Sequence, residues 1–106
     1  MSDKESLELA AKAAGYRLAN TKPGYPLYVE NGIGIWNPLT DDGDALRLAV
    51  KLHINIEIWN VDNLVRANIY VKDRGHGCFE EHYTTDPYAA TRRAIVRAAA
   101  EIGKGE

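Results

Sequence analysis

The sequence predicts an α+β domain with the element order α-β-β-α-β-β-β-α and a mainly antiparallel sheet packed by helices. Three observations carry that prediction. Residues 54–59 and 64–71 alternate apolar and polar side chains, the period of half-buried strands. Residues 41–52 and 87–102 instead repeat apolar side chains every three or four positions, the period of a helix face. Finally, Asn31-Gly32 separates two short alternating runs, a dipeptide favoured in tight hairpins because both residues tolerate positive φ.

The 106 residues suffice for one compact domain spanning 1–106. Apolar residues make up 45% and charged residues 26%, which excludes a disordered tail or a collagen-like fibre. With 13 basic against 15 acidic side chains, no excess positive charge exists to neutralise many phosphates, so nucleic acid is not the expected partner. A single cysteine, Cys78, leaves the fold to packing and suits a reducing compartment. The charged start Met1-Ser2-Asp3-Lys4-Glu5 and the lack of any apolar run near the roughly 20 residues of a membrane span point to the cytoplasm.

The first helix is expected over 3–14. Ser2 and Glu5 stand at capping-box spacing and Gly15 is a left-handed stop. Its stripe, Leu7, Ala10, Ala11 and Ala14, allows close approach to a sheet and buries little area. Pro23-Gly24 and Pro26 mark a loop. In the hairpin that follows, Leu27, Val29, Ile33 and Ile35 are expected on the buried face, with Tyr28, Glu30 and Trp36 opposite. After Asn37-Pro38, a helix begins at Asp41 or Asp42 and runs to Leu52, capped by Thr40 or Asp41. Acids at 41, 42 and 44 complement its dipole, and Ala45, Leu46, Ala49, Val50 and His53 trace its face.

Residues 54–59 form the next strand, and Val61-Asp62-Asn63 turns the chain. Val65, Ala67, Ile69 and Val71 then alternate with Leu64, Arg66, Asn68 and Tyr70. A turn is expected at Arg74-Gly75-His76-Gly77 and a fifth, less regular strand at 78–83. Asp86-Pro87 opens the last helix, because an aspartate cap with proline at the first helical position is a strong start. Ala90, Ala94, Ile95, Ala98 and Ile102 form its stripe, with Ala99 adjoining, and Gly103 ends it.

Two of these segments resemble a known family. The run Asn37-Pro38-Leu39-Thr40-Asp41-Asp42-Gly43-Asp44-Ala45-Leu46-Arg47-Leu48-Ala49-Val50-Lys51-Leu52 is similar to one found in small tailed-phage and prophage proteins of the phage ABA-sandwich family. So is Ala89-Ala90-Thr91-Arg92-Arg93-Ala94-Ile95-Val96-Arg97-Ala98-Ala99-Ala100-Glu101-Ile102-Gly103, and Ala10–Tyr16 resembles the family's first helix. The resemblance implies a phage or prophage origin and a three-layer α/β/α sandwich, with the sheet between helices. It implies no activity, cofactor or catalytic residue, and the strands from Ile54 to Tyr83 depart from it.

Several constellations carry chemistry in principle. Asp41, Asp42 and Asp44 fit no calcium loop and read as helix capping. His53, His76 and His82 lack metal-ligand spacing, so neither metal nor cofactor is expected. Cys78 with His76 is a nucleophile–base pair in principle, although a lone cysteine is far more often a small buried hydrophobe. Gly75-His76-Gly77 lacks the lysine and helix of a phosphate loop. Arg92, Arg93 and Arg97 give the last helix a basic side for phosphate or an acidic protein, or simply a solvated face on which Arg97 pairs with Glu101.

The aromatic residues are the most suggestive. Tyr28, Trp36, Trp59 and Tyr70 are expected opposite the aliphatic face, with Arg66 among them, as a mixed aromatic and polar binding surface if no helix covers it.

The leading expectation is therefore a non-catalytic binding module acting on a host or phage protein or a small ligand, in host takeover or anti-defence. One alternative is a double-stranded RNA-binding-like module, since 41–102 has the order α-β-β-β-α. Another is a small enzyme, such as a hydrolase, using His76 or His82 with Glu80. A two-fold dimer through a sheet edge or the aromatic face would cover the exposed rings.

Overall fold

The computed structural model describes residues 2–19, 27–30 and 34–105. The order is α1 (Asp3–Ala14), β1 (Tyr28–Val29), β2 (Gly34–Ile35), α2 (Asp42–Lys51), β3 (Asn55–Trp59), β4 (Leu64–Val71), β5 (Gly75–His82) and α3 (Pro87–Lys104). Strands β1 and β2 form an antiparallel pair, and β3-β4-β5 form a separate antiparallel sheet. The chain is thus the α+β fold its periodicities predict. No described helix is long and apolar enough to cross a membrane.

Local chemistry starts each helix. The Ser2 hydroxyl accepts from the Glu5 N–H while the Glu5 carboxylate takes the Ser2 N–H, and Gly15 closes α1 at φ 78°. These bonds hold the Glu5 carboxyl below the usual glutamate range, the side-chain bond to Ser2 being the main cause. Asp41 caps α2 by accepting from the Asp44 N–H at 2.8 Å, and Asp86 caps α3 by accepting from Ala89 at 3.0 Å.

Helix α3 is the centre of the molecule. Its residues Ala90, Ala94, Ile95, Val96, Ala98, Ala99 and Ala100 are buried, a wider arc than one stripe, because it packs on β3, β4 and β5 on one side and on α1 on the other. Gly103 lies inside α3 rather than ending it, at the closest approach to α1. The three-layer arrangement is not adopted: α1 packs on α3 instead of the far face of the sheet. Alanines at 10, 11 and 14 and Gly103 opposite let the two helix backbones approach closely.

Other expectations are corrected by register. The pairing Tyr28↔Ile35 and Val29↔Gly34 joins even to odd numbers, so parity reverses between β1 and β2. Ile35 is therefore exposed beside Tyr28, and Trp36, whose N–H donates to the Leu27 carbonyl, is buried with Leu27 and Val29. The Asn31-Gly32 turn, Ile33 and the Pro23–Pro26 loop lie outside the described residues.

On α2 the buried stripe is Ala45, Leu48 and Ala49, while Leu46 and Val50 face solvent. His53 follows the helix at φ 57° and is exposed, so it belongs to no helix face. The last turn of the sheet is 72–74, where Asp73 takes φ 74°, and Gly75–Gly77 belong to β5. A Cβ on Gly77 would sit 3.2 Å from the Ile69 side chain opposite it.

The segment from Asn37 to Asp44 is a self-bonded corner. The Asn37 side chain accepts from the Leu39 N–H, its carbonyl accepts from Thr40 and Asp41, and its own N–H donates to the buried Asp44 carboxylate at 3.0 Å. Arg47 supplies the countercharge to Asp44 at 2.7 Å.

Candidate functional site

Alternation along β3, β4 and β5 sorts the sheet into two faces. The inner face, under α3, carries Ile56, Val65, Ala67, Ile69, Val71 and Phe79. The outer face carries Asn55, Glu57 and Trp59 on β3, Leu64, Arg66, Asn68 and Tyr70 on β4, and His76, Cys78, Glu80 and His82 on β5. No element among the described residues packs over it. Trp59 is 45% exposed and Tyr70 65%, whereas Trp36 is 2% exposed.

The four aromatic residues singled out in the sequence are therefore divided. Trp59 and Tyr70 share the outer face with Arg66. Tyr28 is exposed on the separate β1-β2 pair, next to Ile35. Trp36 is core, its ring meeting the edge of Tyr16 at 5.7 Å between centroids.

Polar groups on the outer face are mutually held. Arg66 donates through Nε at 2.9 Å and a terminal nitrogen at 2.6 Å to one Glu80 oxygen. That hydrogen bond raises the Arg66 pKa above its ordinary value, so the guanidinium stays charged at any working pH. It also lies over the Trp59 ring at 6.0 Å, at the limit of a cation–π contact. Asn68 donates to Glu57 across β3 and β4 at 2.6 Å. Tyr70 and His76 lean together with ring centroids 4.9 Å apart. The face is thus a pre-set surface of two accessible rings, one oriented guanidinium and an amide–carboxylate pair.

The residues of the catalytic alternatives all lie on this face. His82 stands two positions from Glu80 on β5 and His76 four, so the two histidines are six positions, about 20 Å, apart. No one bond can be reached by both. Glu80 is committed to Arg66, and the His76 ring lies against Tyr70. Cys78 is exposed on the same face rather than buried as a small hydrophobe. Among the described residues no cluster of three or more His, Cys, Asp or Glu side chains is arranged for a metal ion.

The arginines of α3 are engaged within the fold. Arg92 donates to the Leu39 carbonyl at 2.8 Å and to Asp42 at 2.6 Å, which pins the start of α2 to α3. Arg93 reaches Asp3 of α1 at 3.2 Å, which raises its pKa. Arg97 pairs with Glu81 and the Glu80 carbonyl, not with Glu101, which meets Lys104 instead. Sequence reading missed Arg74, whose guanidinium donates to the Glu101 and Ile102 carbonyls near the end of α3. Nothing local signals it, because Arg74 stands 27 and 28 residues before the carbonyls it reaches.

Comparison with known proteins finds no matching family model, no matching curated protein and no matching solved structure.

Proposed function

We propose that this chain is a non-catalytic binding module that engages a protein partner, of a phage or of its host cell, through the open face of β3-β4-β5. The observation that carries the reading is the exposure of Trp59 and Tyr70 on a sheet face left bare by the helices. Tryptophan, tyrosine and arginine dominate protein-binding hot spots, and the two aromatics supply large contact area for few lost rotamers. Arg66 is already oriented by Glu80, which lowers the ordering cost of docking further. The resemblance carried by 37–52 and 89–103 supports a phage or prophage origin, and host takeover or anti-defence is the role proposed in that setting.

The test is a pull-down from host lysate with wild type, Trp59→Ala and Tyr70→Ala, followed by affinity measurement on the recovered partner. Hot-spot residues lose about 30-fold or more in affinity on truncation. Both positions are exposed, so the variants should fold as wild type does. Identical partner lists for the three proteins, or none, would refute the reading.

A second reading rests on the order α2-β3-β4-β5-α3, which is that of double-stranded RNA-binding domains. The places where such domains grip phosphate carry Asp62 and Asn63 in the β3-β4 turn and Asp86 at the start of α3. With Arg92, Arg93 and Arg97 paired internally, little cationic surface is left for RNA. Binding to duplex RNA that weakens steeply with salt would favour this second reading over the first.

A further inference from the structure

The two edges of the three-stranded sheet are finished differently. The Tyr83 N–H donates to the Asn63 carbonyl directly opposite at 3.0 Å, so the alternation of an antiparallel ladder turns the odd-numbered residues of β4 toward β5 and the even-numbered ones toward β3. The outward backbone groups are then those of His76, Cys78, Glu80 and His82 on β5, and of Ile56 and Ile58 on β3. On β5, Arg97 reaches from α3 to the Glu80 carbonyl at 2.8 Å and so lies across that edge. On β3 no side chain among the described residues takes the outward groups of Ile56 or Ile58.

Bare strand edges are normally blunted by lysine, proline or a covering element, and residues 54–60 contain neither lysine nor proline. What surrounds this edge is apolar. Ile56 and Ile58 open into a groove of about 270 Å³ between β3, α2 and α3, walled by Leu46, Tyr88 and Ile95. Leu46, Ile58 and Tyr88 are each more than 60% exposed, and Trp59 flanks the same edge on the outer face.

We infer that β3 is a pairing edge and that its occupant is a second copy of this chain, added antiparallel so that two three-stranded sheets become one of six. The strand is self-complementary in that direction. A two-fold axis through Ile58 sets Ile58 against its own counterpart and Glu57 against Trp59, which keeps the two Glu57 carboxylates from facing each other. Leu46, Ile58, Trp59 and Tyr88 leave on the order of 500 Å² per copy in water, so the paired edges remove about 1,000 Å², the size at which a specific interface becomes credible. The net charge of −2 opposes this little. The inference rests on the edge and the groove and does not depend on the outer face having a partner.

Light scattering across a size-exclusion peak tests it, from low to high micromolar protein. The wild type should rise toward twice the 11.8 kDa chain mass. Ile58→Lys and, separately, Tyr88→Lys should each weaken association by about 30-fold or more with unchanged circular dichroism. Tyr70→Lys, on the outer face near the end of β4 and away from the β3 edge, should associate as wild type does. A wild type that stays at 11.8 kDa throughout overturns the inference. So does a Tyr70→Lys variant that separates the copies while Ile58→Lys does not.

Discussion

Replacing Gly103 with alanine puts a methyl group where α3 meets α1. A Cβ on residue 103 would lie 2.0 Å from the Leu9 carbonyl oxygen and 2.8 Å from its carbonyl carbon. An ordinary contact begins near 3.4 Å, so the helices must part by about 1.4 Å, and the obstacle is backbone that no rotamer change removes. Overpacking of this kind costs about 1–3 kcal/mol, with the upper end apt for a backbone clash. Alanine regains up to about 1 kcal/mol of helix propensity, less near a helix end. The loss is capped by the docking of α1, whose buried Leu7, Ala10, Ala11 and Ala14 contribute on the order of 4–5 kcal/mol. The expected net loss is therefore about 2 kcal/mol, or a Tm lower by about 8–16 °C for a domain of this size. Thermal unfolding followed by circular dichroism at 222 nm measures it. Adding Leu9→Ala to the variant should rescue nothing, because the clash is with the main chain. An unchanged or raised Tm for Gly103→Ala, as propensity alone dictates, would refute the close-crossing account.

Three further outcomes follow from the same structure. Arg92→Ala should lower stability by about 1–3 kcal/mol in urea unfolding, since it strands the Leu39 carbonyl and empties a half-buried site; Arg92→Lys should recover only part, a point charge replacing a two-armed donor. In acrylamide quenching, Trp59→Phe should remove the accessible part of the tryptophan emission and leave a shielded signal from Trp36, while Trp36→Ala should cost about 3–5 kcal/mol as the large aromatic side chain is lost from the core. The depressed pKa of Glu5 means that its cap stabilises α1 fully above the ordinary glutamate range and is lost as pH falls through the lowered value; Glu5→Gln should flatten that acid limb in helicity against pH, and an unchanged limb would count against the capping box.

Most of the fold was legible because its signals are local. The capping box at Ser2, the Asp86-Pro87 start and the strict alternation of 64–71 each act within a few residues, and each stands where the sequence puts it. Trp36 was legible too, since a hairpin that sets residue 28 against 35 sets 27 against 36 and moves the tryptophan to the core side. The error lay in carrying one parity through the turn. The layering was not legible. The stripe of α1 fits a sheet or a helix equally well, and only the presence of Gly103 some ninety residues later selects α3. Whether the face of Trp59 and Tyr70 is open depends on that choice. The roles of Arg92 and Arg97 are hidden for a related reason: spacing tells which side of a helix a residue takes, not which carbonyl 53 or 17 residues away it will find.

The segments 37–52 and 89–103 meet in the folded chain, and the meeting says what their polar residues do. Arg92 of the second donates to Leu39 and Asp42 of the first, while Asn37, Asp41 and Asp44 spend their polar atoms on one another and on the start of α2. Gly103 admits α1. These polar groups are consumed in building the corner and the helix stack, and what the first segment presents beside β3 is apolar, with Leu46 exposed at the groove. Trp59, Arg66, Tyr70 and the bare edge of β3, presented to solvent in an ordered array, all come from residues 55–82, between the two segments. A scaffold held by 37–52 and 89–103 leaves the sheet between them free to vary its face. Exchanging residues on that face should therefore change what is bound before it changes whether the chain folds.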